Sequence, residues 1–164
     1  MESFLSKISK NINDRIKIVY IGTIVPYAQA ESLKDICSAV DKLFQEGMNI
    51  EINIYTQKIY RNNLKYKSSF ESSLNFYDIP QSDRDFFKII SNANIVVLPI
   101  NFDETTKHFI RFSMPTKIPP YLICNAPIFV YGPIDVAQVE YAKKEGWGYI
   151  VDKKDPNLVF LKLK

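Results

Sequence analysis

A chain of 164 residues with a hydrophobic fraction of 46% has enough apolar material for one domain with a full core. Its 21 basic and 18 acidic residues are interspersed and leave a net charge of +3, which argues against the dense basic stripe that nucleic-acid binding needs. No stretch approaches the roughly 20 apolar residues of a membrane span, and no signal-peptide-like run opens the chain, so the expected compartment is the cytoplasm.

Residues 1–14 place Phe4, Leu5, Ile8 and Ile12 at near-helical spacing among polar residues and read as a linker or N-terminal extension. Ile16–Ile21 is a β-branched strand closed by Gly22. Leu33, Ile36, Cys37, Val40, Leu43 and Phe44 then mark one face of a helix over Ala30–Glu46, stopped by Gly47. Ile50, Ile52 and Ile54 alternate as a second strand, and Gln57–Lys67 has no clear period and reads as a surface connection with a broken helix. Leu74–Tyr77 is a short third strand.

Ser82-Asp83-Arg84-Asp85 has the composition of a helix start and feeds Phe86, Phe87, Ile89 and Ile90, after which Ile95–Pro99 is a continuous apolar strand. Ile100–Thr116 reads as a loop carrying the only histidine, His108, which faces solvent in this reading. A short helix follows through Cys124 with a left-handed stop at Asn125. Strand Ile128–Tyr131, helix Val136–Lys144 and strand Gly148–Val151 complete the series. Buried strands alternating with helices predict an α/β fold, a Rossmann-like parallel sheet with helices on both faces over residues 15–164. Cys37 and Cys124 fall among apolar neighbours in helices, as small buried thiols do.

In such a sheet a ligand binds beyond the carboxyl ends of the strands, where strand order reverses. If the first and fourth strands flank that point, Gly22 and Thr23 face the loop ending in Ser113, Thr116 and Lys117. Lys117 stands where a helix begins, a place that disfavours cations and whose unpaired N–H groups favour anions. Pro119 and Pro120 keep that helix from starting much earlier. A phosphate held by hydroxyls, the ammonium and free amides accounts for the pattern; a surface lysine on a proline-rich turn is the competing account.

The segment S-x-P-T-K-x-P-x-Y-L followed by P-I-x-V-Y-G-P resembles the donor-binding half of retaining glycosyltransferases of the GT-B fold, in the family 4 group that builds bacterial surface polysaccharides. The resemblance extends through KIVYIGT, DRDFFKIISNANIVVLP and EGWGYIV. It implies a C-terminal domain that binds a nucleotide sugar, with a UDP- or GDP-sugar as substrate, no cofactor, no essential metal, and a separate N-terminal domain for the acceptor. It also implies that the chain is a piece of a longer enzyme, associated with a membrane if the acceptor is lipid-linked, and inactive when isolated.

With the topology above, the resemblance makes Gly22, Thr23, Ser113, Thr116 and Lys117 the expected donor phosphate and sugar contacts, with Arg111 as compensation for a missing family carboxylate, and it maps base contacts to Asp78, Ile79 and Pro80. The departures are specific. Phe112 and Pro120 occupy the places of two family glutamates, one near the transferred sugar and one on the donor ribose. Asn125 replaces a glycine, and Thr23 with Tyr27–Gln29 stands where an arginine and a lysine are common. No catalytic residue is assigned. A second hypothesis follows from the lost glutamates: a catalytically degenerate domain kept for subunit interaction. A flavodoxin-like or receiver-like module is disfavoured, because neither paired acids nor a Gly/Ser/Thr-rich loop follows the first strand.

Overall fold

The computed structural model describes residues 15–164, so the N-terminal extension expected over residues 1–14 lies outside the described residues. Six parallel strands form one sheet in the order β3-β2-β1-β4-β5-β6: β1 Ile16–Ile21, β2 Ile50–Tyr55, β3 Leu74–Tyr77, β4 Ile95–Pro99, β5 Ile128–Tyr131 and β6 Tyr149–Val151. The order reverses between β1 and β4, whose register sets Ile18 against Ile95 and Val19 against Val96.

Two apolar layers explain why these segments fold as they do. Helices α1 (Ala30–Gln45) and α7 (Pro156–Leu163) cover one face of the sheet, burying Leu33, Ile36 and Val159 against Ile18, Ile52 and Val97. The other face is covered by α3 (Asp83–Ser91), α5 (Ile118–Ile123) and α6 (Ala137–Glu145), which bring Ile90, Tyr121 and Val139 onto Val19, Val96 and Val130. Central strands buried on both sides read as unbroken apolar runs. That is why β4 and β5 are legible as Ile-Val-Val-Leu-Pro and Ile-Phe-Val-Tyr.

Between β2 and β3 the chain forms a four-residue helix, α2 (Lys58–Arg61), and a tight turn at Asn62–Leu64 that buries Leu64. The broken helix expected there is present. Asn125 takes φ 52, the left-handed stop that asparagine tolerates.

One expectation is corrected. The segment expected as a loop over Ile100–Thr116 contains α4, Glu104–Ile110. Asp103 caps it, accepting a 2.9 Å bond from the Thr106 amide, and Thr106 Oγ1 lies 2.8 Å from the Tyr27 carbonyl. Thr106 is the one buried residue of this helix, so no apolar stripe announces it. His108 is exposed as expected, but on this helix, with Nδ1 2.8 Å from the Glu104 carbonyl.

Candidate functional site

The reversal of strand order sets the end of β1 beside the loops that follow β4. Asn101, just past β4, fixes this junction: its amide Nδ2 donates to the Pro26 carbonyl at 2.7 Å and its Oδ1 accepts from Ser32 N–H at 3.1 Å. Its own backbone N–H donates to Ala28 O at 2.7 Å. Three bonds from one residue hold the loop after β1 against the end of β4.

A cleft of ≈680 Å³ opens there, within the range of small-molecule sites. Gly22, Thr23 and Gln29 line it from the β1 side, Thr116 and Lys117 from the start of α5, and Ile79, Pro80, Asp83 and Phe86 from the entry to α3. Of the residues singled out in the sequence, the structure thus brings together Gly22, Thr23, Thr116, Lys117, Ile79 and Pro80.

The other three lie elsewhere. Asp78 pairs with Arg61 at 2.8 Å and Lys58 at 4.0 Å on the rim of the sheet. Arg111 is exposed, with its guanidinium 5.4 Å from the centre of the Phe112 ring. Ser113 lines a smaller chamber of ≈170 Å³ alongside Ile110, Pro115 and Gln138. Lys117 and Gln29 line both spaces.

Lys117 is the chemical centre of the cleft. Its ammonium sits 4.4 Å from the centre of the Tyr20 ring and donates to the Ile21 carbonyl at 3.3 Å. An ammonium has three donors, and no further partner exists for it among the described residues. The residue is half-buried overall, but withdrawal of the charged tip from water pushes its pKa down to about 8, with no carboxylate contributing.

The contacts around Lys117 hold it in place. Tyr20 is fully buried, its hydroxyl pushed up by desolvation and donating to the Thr23 carbonyl at 2.6 Å. Gln29 Nε2 donates to that same hydroxyl at 3.1 Å and to the Thr23 carbonyl. Gly22, at φ +146, has its missing Cβ position 3.0 Å from the lysine Nζ. A side chain there would crowd the ammonium and strain the backbone.

The free amides expected at this helix start are not available. Ile118 N–H donates to the Pro115 carbonyl at 3.1 Å, Pro119 and Pro120 carry no N–H, and Tyr121 N–H closes the first turn on Lys117 O at 3.1 Å. The lysine therefore stands as N-cap of a six-residue helix whose own first-turn amides are missing or already taken.

Three participants were not singled out from sequence. Asp83 is the one carboxylate lining the cleft and makes no hydrogen bond or ion pair among the described residues, whereas its neighbour Ser82 caps α3 through Asp85. Gln29 was noted only as part of a polar run. Gln138 is 3% exposed, and its Oε1 is buried with no hydrogen-bond partner among the described residues. An orphaned acceptor of this kind costs about 1–3 kcal/mol, and sequence carries no signal for it, because satisfaction is decided in three dimensions.

No protein-family model matches the chain, and no curated protein matches it. Solved structures do. An alpha,alpha-trehalose-phosphate synthase (UDP-forming) from Burkholderia vietnamiensis shares 9% identity at TM-score 0.65, covering 97% of this chain and 38% of that one. The trehalose-6-phosphate enzyme from E. coli bound with UDP-2-fluoro glucose shares 13% at TM-score 0.62, covering 97% and 38%. WaaG, a glycosyltransferase involved in lipopolysaccharide biosynthesis, shares 9% at TM-score 0.61, covering 97% and 42%. The chain therefore has the fold of a single half of a GT-B glycosyltransferase. It spans about two fifths of the length of these neighbours. Among the described residues no helix is long and apolar enough to cross a membrane, and no three His, Cys, Asp or Glu side chains gather as a metal site.

Proposed function

We propose that this domain binds the nucleoside-diphosphate-sugar donor of a glycosyltransferase that builds a polysaccharide or glycoconjugate, with the acceptor held by a second domain. The observation that carries this reading is the Lys117 ammonium: desolvated, seated on an aromatic face, free of any carboxylate, and at the wall of a cleft sized for a small ligand. A cation kept in this way disfavours the empty protein and is relieved by an anion. A pyrophosphate supplies that anion, and the ammonium would then stabilise the charge that develops on the leaving diphosphate during transfer.

The rest of the cleft fits such a ligand. Thr23 and Thr116 offer hydroxyls to the phosphates, Ile79, Pro80 and Phe86 an apolar wall to the base, and Asp83 an unpaired acceptor to ribose hydroxyls. UDP is the first nucleotide to try, since two of the structural neighbours are described with it. The domain alone is expected to bind and not to turn over.

Isothermal titration of UDP, GDP and ADP into the folded domain and into Lys117→Ala tests this. Saturable binding of one nucleotide, weakened tenfold or more in the variant, supports a donor site. Folded protein that binds none of them at millimolar concentration favours the degenerate interaction domain. That second reading draws on one observation: at the two places where the resemblance expects glutamates stand Pro120 and Phe112, the latter 86% exposed.

A further inference from the structure

A desolvated amine without a counter-ion has chemistry of its own. Lys117 Nζ packs on the Tyr20 ring at 4.4 Å and has one acceptor, the Ile21 carbonyl at 3.3 Å. No carboxylate helps to hold its proton. The other titratable groups nearby leave this unchanged: Tyr20 from β1 and Tyr121 from α5 are phenols that burial keeps neutral, Asp83 lines the cleft from the entry to α3, and the smaller chamber has no charged lining residue besides Lys117 itself. Lys107 shows the opposite setting. It lies 3.1 Å from Glu104 and 3.4 Å from Asp135, and the bond to Glu104 with the charge of Asp135 pushes its pKa up.

A free amine is a nucleophile, and an ammonium is not. At pH 7.5 an ordinary lysine, with a pKa of about 10.4, is unprotonated in roughly one molecule in a thousand. With a pKa of about 8, Lys117 is unprotonated in about a quarter. The lowering comes from withdrawal of water and not from an electron-withdrawing neighbour, so the lone pair keeps its reactivity. Access is open as well, because Lys117 lines the ≈680 Å³ cleft, where Ile79, Pro80 and Phe86 offer an apolar wall to an acyl chain.

We propose that Lys117 is a site of covalent acylation, taking acyl groups from thioesters that enter the cleft. The unprotonated Nζ attacks the thioester carbonyl; a C–N bond forms, the C–S bond breaks, and the thiolate leaves with the bonding pair and takes up the proton that the amine sheds. The products are an amide and a thiol, with no change of oxidation state. Acylation erases the one positive charge lining the cleft. That the acylated chain then binds no nucleoside diphosphate rests on the donor-site reading above; the modification itself does not.

The test incubates the wild-type chain with N,S-diacetylcysteamine, a small uncharged thioester, between pH 6.5 and 10, and reads the acetylation rate of each lysine by peptide mass spectrometry. At pH 7.5 Lys117 is expected to react tenfold or more faster than the exposed Lys58 and Lys143, and Lys107 no faster than those two. The Lys117 rate should level off soon above pH 8, whereas that of an ordinary lysine climbs nearly tenfold per pH unit until about pH 10. Acetylation at Lys117 no faster than at Lys58 and Lys143 overturns the proposal, as does a Lys117 rate that keeps climbing past pH 9.5. Fast, levelling acetylation in a chain that binds no nucleotide keeps this site and removes only the donor-site reading; nucleotide binding with slow acetylation does the reverse.

Discussion

Two polar regions face the same side of the sheet, and they differ in how their polar groups are used. Over β2 and β3, on the outer side of α3, lies a trench of ≈430 Å³ floored by Glu51, Asn53 and Tyr55. Its floor is tied together: Asn53 Nδ2 donates to Glu51 Oε1 at 2.9 Å, Asn75 Nδ2 to Asn53 Oδ1 at 3.0 Å, and Arg15 lies in ion-pair contact with Glu51 Oε2 at 3.0 Å. In the cleft between β1 and β4, by contrast, neither Lys117 nor Asp83 has a counter-ion among the described residues, and Lys117 has one carbonyl for its three donors. Polar groups that satisfy one another hold a fold together, and polar groups left open in a cavity wait for a ligand.

Removing Glu51 breaks that comparison most directly. Glu51 is 8% exposed, and Glu51→Ala takes away the acceptor of Asn53 and the counter-ion of Arg15 in one step. A loss of about 3 kcal/mol of stability is expected, read by urea denaturation. Nucleotide affinity should stay unchanged in the protein that remains folded. A loss of affinity at unchanged stability would mean that the trench is itself part of the site.

The opposite pattern is expected at Lys117. Lys117→Met keeps most of the apolar stem, one atom shorter, and removes the charge, so ligand affinity should fall tenfold or more, about 1.4 kcal/mol. Stability of the empty protein should hold or rise, because a desolvated ammonium has been removed. Equal losses of stability and affinity would identify the lysine as a structural member of the core instead.

How much of this was legible in the sequence follows from the same distinction. Apolar runs and stripes report burial, so β1, β2, β4, β5 and α1 could be read with boundaries close to those observed, and their order gave the convergence of Gly22 with Lys117. Helix α4 escaped because it buries a single threonine; its readable signal was Asp103 three residues ahead of Thr106, a cap without a stripe. The prolines after Lys117 showed two missing donors, but the capture of the Ile118 amide by Pro115 depends on a turn that composition does not specify. Asp83 and Gln138 were invisible as site residues, since each is ordinary in composition and only the fold places the one at the cleft and buries the other's acceptor without a partner.

Gly22 sharpens the contrast at smaller cost. An alanine Cβ would sit 3.0 Å from the lysine Nζ, which must give by a few tenths of an ångström, and φ +146 strains any residue but glycine. About 1–2 kcal/mol of stability is expected to be lost. Affinity should fall with it, and Gly22→Ala combined with Lys117→Met should cost less than the two added, because the clash disappears with the charged tip. Additive effects would mean that backbone strain alone, and not the displaced ammonium, accounts for the defect.

The smallest effect is the pH dependence, and its sign follows from the lysine alone. With a pKa of about 8 against an ordinary 10.5, the folded protein loses this proton first on raising the pH. Below pH 8 the folded and unfolded chains both carry it, and the penalty for burying the charge is fully present. Between about 8 and 10.5 the unfolded chain binds more protons, so the stability of the empty protein rises with pH across that window. Anion binding moves the other way, because the ligand selects the charged form. At pH 8.5 only about a quarter of the free sites remain protonated, so affinity should be roughly fourfold below its value at pH 7, with net proton uptake visible as a heat that depends on the buffer. Affinity that is flat from pH 7 to 9, or that falls equally in Lys117→Met, would mean that the phosphate is held by something other than this ammonium.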